Sequence, residues 1–308
     1  MILALAGGVG GARLAKGLAA VLPPEHLSII VNVGDDFEHL GLLVCPDLDT
    51  VCYTLGGVNN AAQGWGLEGE SWAFMDALSK LGGENWFNLG DRDLATHITR
   101  KAMLGRETLS AITAYFAAKL SIAHKIAPMS DDPVRSIVHT DEGELAFQHY
   151  FVRRRAEPRF RSIRFDGVEQ ARPSPAFMAA LDNPELEAII ICPSNPVLSI
   201  APILALPGIR ARLDSRKVPI VAVSPFIGGK AIKGPAAKIM DEIGIATTPA
   251  GLASYYGGLL DGIVIDHADS ATDEPNIALH VTDTLMRDIS DQRRLASETI
   301  LFARSLIR

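Results

Sequence analysis

Residues 1–33, MILALAGGVGGARLAKGLAAVLPPEHLSIIVNV, contain two apolar runs separated by a glycine cluster and an amphipathic stretch. Residues 2–6 are apolar and stop at the glycines, as a buried parallel strand would. Residues 12–22 carry apolar side chains at helical spacing and end at two prolines, and residues 28–33 are typical of a second strand. This strand–loop–helix–strand order is a βαβ unit, which predicts a parallel sheet with right-handed crossovers.

The same alternation returns in the last third of the chain. Buried strands are predicted at 186–192, 218–223 and 262–266. Helices are predicted at 235–243, at 250–259 and from 282 to the C-terminus, with Thr282-Asp283 as the N-cap of the last one. The fold class predicted is therefore α/β, with a Rossmann-like, doubly wound, mostly parallel sheet.

The middle of the chain has a different pattern. A helix is predicted over 107–119, and three short segments of β type follow, VRSIVHT, ELAFQHYFV and FRSIRFDGV. We interpret this part as a mixed α/β insertion. The prediction is one α/β domain over residues 1–308, with 107–180 as an inserted substrate-binding subdomain.

Composition excludes several classes of protein. The net charge of −7 argues against broad attraction to nucleic acid or to an anionic membrane, and no apolar run approaches the roughly 20 residues that span a bilayer. The chain has three cysteines and no CxxC pair, which fits a reducing compartment. We expect a cytoplasmic protein without a nucleic-acid or membrane partner.

The glycines at 7, 8, 10 and 11 lie between the first strand and the first helix. A phosphate can approach a backbone that has no Cβ, and a helix N-terminus offers free N–H groups. Arg13 stands where GxGxxG would have its third glycine, and no GK[ST] follows, so the pattern is neither the NAD fingerprint nor a P-loop. Phosphate or pyrophosphate binding is predicted, and a purely structural tight turn is the alternative.

Three pairs of acidic residues are candidates for metal binding or proton transfer. Mg²⁺ is a hard cation that is held by a few carboxylates and by substrate oxygens, and a carboxylate can also take a proton from an attacking hydroxyl. Any one of these residues could instead be solvated or could cap a turn. Asp49 is the preferred candidate among Asp35, Asp36, Asp47, Asp49, Asp91 and Asp93.

Two later loops follow predicted strands and offer further contacts for an anion. Pro193-Ser194-Asn195-Pro196 comes directly after the strand that ends near Cys192, at the edge where parallel sheets bind ligands. Gly228-Gly229 and Lys230 follow the strand at 218–223 and resemble a second anion cradle before a helix. An ordinary turn and a solvated lysine are the alternatives.

Taken together, eight segments in this order resemble the family of 2-phospho-L-lactate transferases, also called the CofD-like family. The likeness covers most of the chain and implies an enzyme of coenzyme F-420 biosynthesis. The segments are LAGGVGGARLAKGL, VNVGDDFEHLGLLVCPDLDTVCYTL, NLGDRDLATH, SDDPVRSIVHT, FQHYFVRRR, PSNPVLSIAPILALPGIR, VSPFIGGKAIKGPAAKIM and YYGGLLDGIVIDHAD.

The resemblance implies the reaction and its participants. The terminal ribityl hydroxyl of the deazaflavin Fo would attack a guanosine diphosphate adduct of a three-carbon acid, with GMP as the leaving group and Mg²⁺ as the cofactor. The implied roles are nucleotide or phosphate binding for Gly7, Gly8, Gly10, Gly11, Ser194, Asn195, Gly229 and Lys230, catalysis and metal binding for Asp49, and deazaflavin binding for Asp49 and Arg92.

Two other functions remain open at this point. The GGVGG and VNVGDD segments also occur in the gluconeogenesis-factor group, which would make the chain a nucleotide-sugar-binding regulator without turnover. A nicotinamide oxidoreductase is disfavoured because Arg13 breaks the glycine pattern. The acid on the donor, whether phospholactate, phosphoenolpyruvate or phosphoglycerate, is not determined, and a homodimer is expected by default.

Overall fold

The computed structural model describes residues 1–232, 234–269 and 277–307. In chain order the strands of these residues are β1 (Ile2–Ala6), β2 (Leu27–Val31), β3 (Phe37–His39), β4 (Leu42–Val44), β5 (Lys125–Pro128), β6 (Arg135–Thr140), β7 (Gly143–Ala146), β8 (Phe160–Asp166), β9 (Ala188–Ile191), β10 (Ile220–Val223), β11 (Phe226–Ile227), β12 (Lys230–Ala231), β13 (Gly262–Asp266) and β14 (Ala278–Thr282).

The helices alternate with these strands along most of the chain. They are α1 (Gly8–Val21), α2 (Pro46–Leu55), α3 (Ala73–Lys80), α4 (Asp91–Met103), α5 (Leu109–Lys119), α6 (Pro175–Leu181), α7 (Ala201–Ala205), α8 (Ile209–Asp214), α9 (Ala236–Glu242), α10 (Pro249–Tyr256) and α11 (Ile289–Ser305). No helix in the described ranges is long and apolar enough to cross a membrane.

The main sheet has seven parallel strands in the order β14-β13-β10-β9-β1-β2-β5. The chain builds outward from β1 in one direction and returns through β9 to build in the other. The strand order therefore reverses between β1 and β9, where α/β sheets have the crevice that binds ligands. The α/β class and the parallel sheet predicted from the sequence are confirmed.

Every residue of the central strands β1, β9 and β10 is buried, which explains their nearly continuous apolar sequences. Helix α1 packs against α2 and α11. At the crossing with α11, a Cβ on Gly17 would lie 2.2 Å from the carbonyl oxygen of Gln292, so only glycine allows this approach.

The middle of the chain differs from the prediction in detail. Strands β7, β6 and β8 form a separate antiparallel sheet, but β5 pairs with β2 in the main sheet and α5 packs against β5. The inserted sheet therefore occupies only part of residues 107–180. The predicted strand over ELAFQHYFV ends at Ala146, and residues His149–Arg153 form a turn of π-helix.

The predicted N-cap of the last helix is wrong. Thr282 ends β14 and pairs with Asp266 of β13. The helix begins at Ile289, because the side chain of Asp288 accepts hydrogen bonds from the backbone N–H groups of Ser290 and Asp291.

Candidate active site

A cleft of about 620 Å³ opens at the carboxyl ends of the central strands. Its lining residues come from the loop after β1, the first turns of α2, the loop after β9, and the chain following β10. The inserted part and the segment before α4 contribute mostly aromatic side chains. The cleft therefore combines a polar side at the strand ends with an apolar side above it.

The glycine loop forms the polar side of the cleft, and three of its four glycines line it, namely Gly7, Gly8 and Gly10. The loop packs so tightly that a Cβ on Gly10 would lie 2.3 Å from the carbonyl oxygen of Pro193. A Cβ on Gly11, which does not line the cleft, would lie 2.5 Å from the Oγ of Ser194. Glycine is thus required here by packing as well as by access for a ligand.

The loop after β9 lies against this glycine loop. Ser194 Oγ accepts a hydrogen bond from the N–H of Gly7 at 3.1 Å. Asn195 Oδ1 accepts from the N–H groups of Val197 and Leu198, so its side-chain NH₂ group is the part that can donate to a ligand. Ser194 and Asn195 both line the cleft, beside the glycines with which the sequence grouped them.

Two carboxylates lie side by side in the cleft. Asn32 Nδ2 donates to Asp35 Oδ1 at 3.1 Å and to Asp47 Oδ2 at 3.0 Å. Burial raises the pKa of both carboxyl groups, and for Asp35 the negative charge of Asp47 raises it further, while the hydrogen bonds from Asn32 oppose this. A divalent cation between these carboxylates would favour their charged forms.

The described ranges contain no group of three or more His, Cys, Asp or Glu side chains arranged to hold a metal ion. A cation held by Asp35 and Asp47 would take its remaining ligands from elsewhere, for example from oxygen atoms of a substrate. Mg²⁺ commonly binds in this way, through one or two carboxylates and substrate phosphates.

The structure places Asp49 away from the cleft lining. Its carboxylate is bound by the guanidinium of Arg100 and lies 3.8 Å from Nδ1 of His97. Successive helical residues are turned by about 100°, so Asp47 and Asp49 on α2 face nearly opposite ways. Among the six acidic candidates, Asp35 and Asp47 are the ones that line the cleft, and the choice of Asp49 as catalytic residue and metal ligand stays a prediction.

Arg92 also lies outside the cleft lining. It is exposed at the start of α4, where its Nη1 donates to the carbonyl oxygen of Glu68 at 3.0 Å. This contact connects α4 to Glu68, which lies three residues after the cleft-lining Trp65. The contact of Arg92 with a deazaflavin stays a prediction.

Gly229 and Lys230 form part of a hairpin, and their contact with a phosphate stays a prediction. Gly228 and Gly229 have φ values of +57° and +69°, as in the two-residue turns that join antiparallel strands, here β11 and β12. The N–H of Gly229 donates to Asp269 Oδ1 at 2.8 Å, and Lys230 is exposed. Neither residue lines the cleft, and the neighbouring Lys233 lies outside the described residues.

Comparison with known proteins gives the family. The family model described as "2-phospho-L-lactate transferase CofD" matches residues 2–299. The chain belongs to this family. It is 41% identical to a phosphoenolpyruvate transferase of Streptomyces griseus over 98% of both chains, and 38% identical to a 2-phospho-L-lactate transferase of Methanosarcina mazei over 96% of this chain and 98% of the relative.

Solved structures support the fold. A member of the UPF0052 family from Bacillus halodurans superposes with a TM-score of 0.62 over 97% of this chain and 98% of the other, at 14% sequence identity. At this identity the likeness concerns the fold alone. Membership of the CofD family makes the protein an enzyme, a transferase, which confirms the activity class predicted from the sequence.

The sequence analysis did not identify the positively charged side chain that lines this CofD-family cleft. Among the described lining residues, Arg13 is the one with a permanent positive charge, and its Nη1 donates to the carbonyl oxygen of Met286 at 3.1 Å. In the sequence Arg13 interrupts a glycine pattern, and no ligand-binding role is predicted for it. Its position one turn beyond the glycine loop was the signal that could have identified it.

The apolar side of the cleft was missed as well. We call it the aromatic wall, and Phe147 and Phe151 stack within it with ring centroids 5.5 Å apart. These two residues are four apart, and the π-helical turn brings their rings together, whereas in an extended strand they would share a face but lie about 13 Å apart. The aromatic wall consists of Trp65, Trp86, Phe87, Phe147 and Phe151.

Proposed function

We propose that the protein transfers the phosphorylated three-carbon acid of a guanosine diphosphate adduct to the terminal ribityl hydroxyl of the deazaflavin Fo. GMP would be released, and the reaction would be a step in coenzyme F-420 biosynthesis. The observation that carries the proposal is the pair Asp35 and Asp47, which lines one cleft together with the N-terminus of α1 and the aromatic wall.

The polar side of the cleft suits the donor. The N-terminus of α1 presents backbone N–H groups and the positive end of the helix dipole, which favour a diphosphate. Arg13 adds a guanidinium that can form charge-assisted hydrogen bonds to phosphate oxygens. We assign the guanosine part of the donor to Ser194 and Asn195.

We propose Asp35 and Asp47 as the residues that would hold Mg²⁺, together with oxygens of the donor. When bound, this cation would neutralise charge on the diphosphate and on the leaving GMP. The two buried carboxyl groups fit it, because a cation offsets the burial that raises the pKa of both.

The aromatic wall suits the acceptor, since a flat heterocycle can stack on rings such as those of Phe151 and Trp86. In the transfer, the ribityl oxygen bonds to the phosphorus nearer the acid while the bond from that phosphorus to the bridging oxygen breaks. The electron pair leaves with GMP. We assign the hydroxyl proton to Asp35, a cleft-lining carboxylate that shares the side-chain amide of Asn32 with Asp47.

The test is a turnover assay with Fo, Mg²⁺ and guanosine diphosphate adducts of lactate, enolpyruvate and glycerate, with the products identified by mass spectrometry. A phosphodiester product with equimolar GMP supports the proposal, and the preferred adduct identifies the acid. Relatives named for phosphoenolpyruvate and for 2-phospho-L-lactate match at nearly the same identity, so the assay includes both.

No product from any adduct, together with tight binding of a uridine nucleotide sugar, would overturn the proposal and favour the nucleotide-sugar-binding regulator. The homodimer and the cytoplasmic location expected from the sequence stay predictions. Sedimentation of the purified protein tests the first, and fractionation of cells tests the second.

A further inference from the structure

Arg100 is a fully charged side chain in the protein interior. Only 2% of its surface is exposed, although it lies on α4 and does not line the cleft. Burial alone would lower the pKa of its guanidinium, but the adjacent carboxylate of Asp49 raises this pKa above its ordinary value. A buried charge is costly to retain unless its partners compensate for the lost water, so its contacts indicate what it does.

The guanidinium binds the chain on both sides of Asp47. Nη1 donates to the carbonyl oxygen of Leu43 at 3.1 Å, and Nη2 donates to Oδ1 of Asp49. Leu43 belongs to β4 and Asp49 to the first turn of α2, so one side chain holds both ends of the segment 43–49. Asp47 lies inside this segment and is its carboxylate that faces the cleft.

The pose of the guanidinium is itself fixed by neighbours. Nη1 also lies 3.1 Å from Nδ1 of His97, which must accept because a guanidinium can only donate. The other ring nitrogen of His97 lies 3.3 Å from Oδ2 of Asp93, and the guanidinium carbon lies 5.6 Å from the ring centre of Phe116. These contacts fix the orientation of the guanidinium, and therefore the positions at which it binds the two ends of the segment 43–49.

We infer that Arg100 is a positioning residue for Asp47, holding that carboxylate between the glycine loop and Asn32 without touching a ligand. This inference rests on the proposed function for its role in catalysis, but the geometric part stands independently of the reaction. It also explains Asp49, whose carboxylate serves as the anchor point for Arg100 at the start of α2.

The test compares Arg100→Lys with Tyr53→Phe. Lysine keeps the charge but cannot reach two acceptors in the planar fork geometry of arginine. Tyr53 connects the same two helices through a 2.7 Å hydrogen bond from its hydroxyl to Asp93 Oδ1, but it lies outside the segment 43–49. It is therefore a matched control for a general loosening of α2 from α4.

The first readout does not depend on any activity. The N–H of Gly8 donates to Asp47 Oδ1, so its hydrogen exchange, followed by NMR on glycine-labelled protein, reports on the position of that carboxylate. In Arg100→Lys we expect exchange at Gly8 to rise at least tenfold relative to Gly17 in the same helix. In Tyr53→Phe the ratio of these two rates should change less than twofold.

The second readout is turnover. In Arg100→Lys the Mg²⁺ concentration for half-maximal rate should rise about tenfold and kcat should fall, while KM for the donor changes less than twofold. Adding Arg100→Lys to Asp47→Asn should change the rate less than twofold, because the positioned group is already removed.

Unchanged exchange at Gly8 in folded Arg100→Lys would overturn the inference, whatever the turnover. If the lysine variant does not fold, Arg100→Met combined with Asp49→Leu replaces the ion pair by apolar packing. The ratio of hydrogen exchange at Gly8 to that at Gly17 then tests the inference in this double variant. Absence of turnover in the unaltered protein would overturn the proposed function and leave the exchange result on Arg100 valid.

Discussion

The backbone N–H of Gly8 donates to Oδ1 of Asp47 at 2.7 Å. This contact joins the first turn of α1 to the first turn of α2, so the N-terminus of α1 and a candidate metal ligand are held in one geometry. Asp47 Oδ2 simultaneously accepts from Asn32, which also binds Asp35.

Replacing Asp47 by Asn should lower kcat by about 10²–10⁴, the range typical of lost acid–base or metal assistance. Asparagine keeps the volume and can still meet Asn32, so the fold should persist. The measurement is the Mg²⁺ dependence of turnover, with Asp76→Asn on the exposed face of α3 as the control. A near-normal rate with ordinary Mg²⁺ dependence would remove Asp47 from the site.

Replacing Asp49 by Asn should act mainly on stability. The change leaves the guanidinium of Arg100 buried without its counter-ion, and breaking a buried pair in this way costs about 3–5 kcal/mol. Urea denaturation at neutral pH gives the free energy of unfolding. If stability is unchanged while turnover collapses, Asp49 would act on the substrate directly, as the sequence alone suggested.

Replacing Arg13 by Met should raise KM for the donor roughly 10- to 100-fold, because hydrogen bonds to charged groups contribute about 1.5–3 kcal/mol. Arg13→Lys should recover part of the loss, since a phosphate still meets a positive charge. Lys16→Met on the same helix serves as the control, since Lys16 does not line the cleft. An unchanged KM in Arg13→Met would show that this guanidinium serves only to bind Met286.

The pH dependence of stability should change in Asp36→Asn. Burial raises the pKa of Asp36 to about 7, against the opposing effect of Arg135, so the folded state binds its proton more tightly than the unfolded state does. The stabilisation from this proton is complete below about pH 4 and is lost as the pH rises towards 7.

Asparagine cannot lose a proton, so the variant should gain up to about 4 kcal/mol relative to the unaltered protein between pH 4 and pH 8, from the 1.36 kcal/mol per pKa unit. Denaturation curves of both proteins at several pH values measure this difference. A difference that stays constant over that pH range would contradict the raised pKa.

Replacing Phe151 by Ala should raise KM for the deazaflavin several-fold, because a stacking contact contributes about 0.5–1.5 kcal/mol. KM for the donor should stay the same, since Phe151 lies on the aromatic wall. Phe74→Ala is matched to it, since both rings are 37% exposed and Phe74 lies outside the cleft lining. If Phe151→Ala and Phe74→Ala changed KM for the deazaflavin equally, this result would argue against acceptor binding at the aromatic wall.

The sequence by itself determined the α/β fold, the parallel sheet and the loops at its carboxyl edge. This was possible because apolar strands, glycine turns and helical periodicity are local patterns, and parallel strands bring their loops to one edge. Gly7, Ser194 and Asn195 could be grouped for this reason, although 187 positions separate Gly7 from Ser194.

Only the tertiary structure decided which side chains face the cleft. Asp47 and Asp49 are equivalent in a sequence, but the packing of α2 against α4 turns Asp47 towards Asn32 and Asp49 towards Arg100. The Gly228-Gly229 turn likewise joins the paired strands β11 and β12, and the N–H of Gly229 donates to Asp269, 40 residues along the chain. The direction in which each of these groups faces depends on contacts between segments that are distant in sequence, and a local sequence pattern does not contain that information.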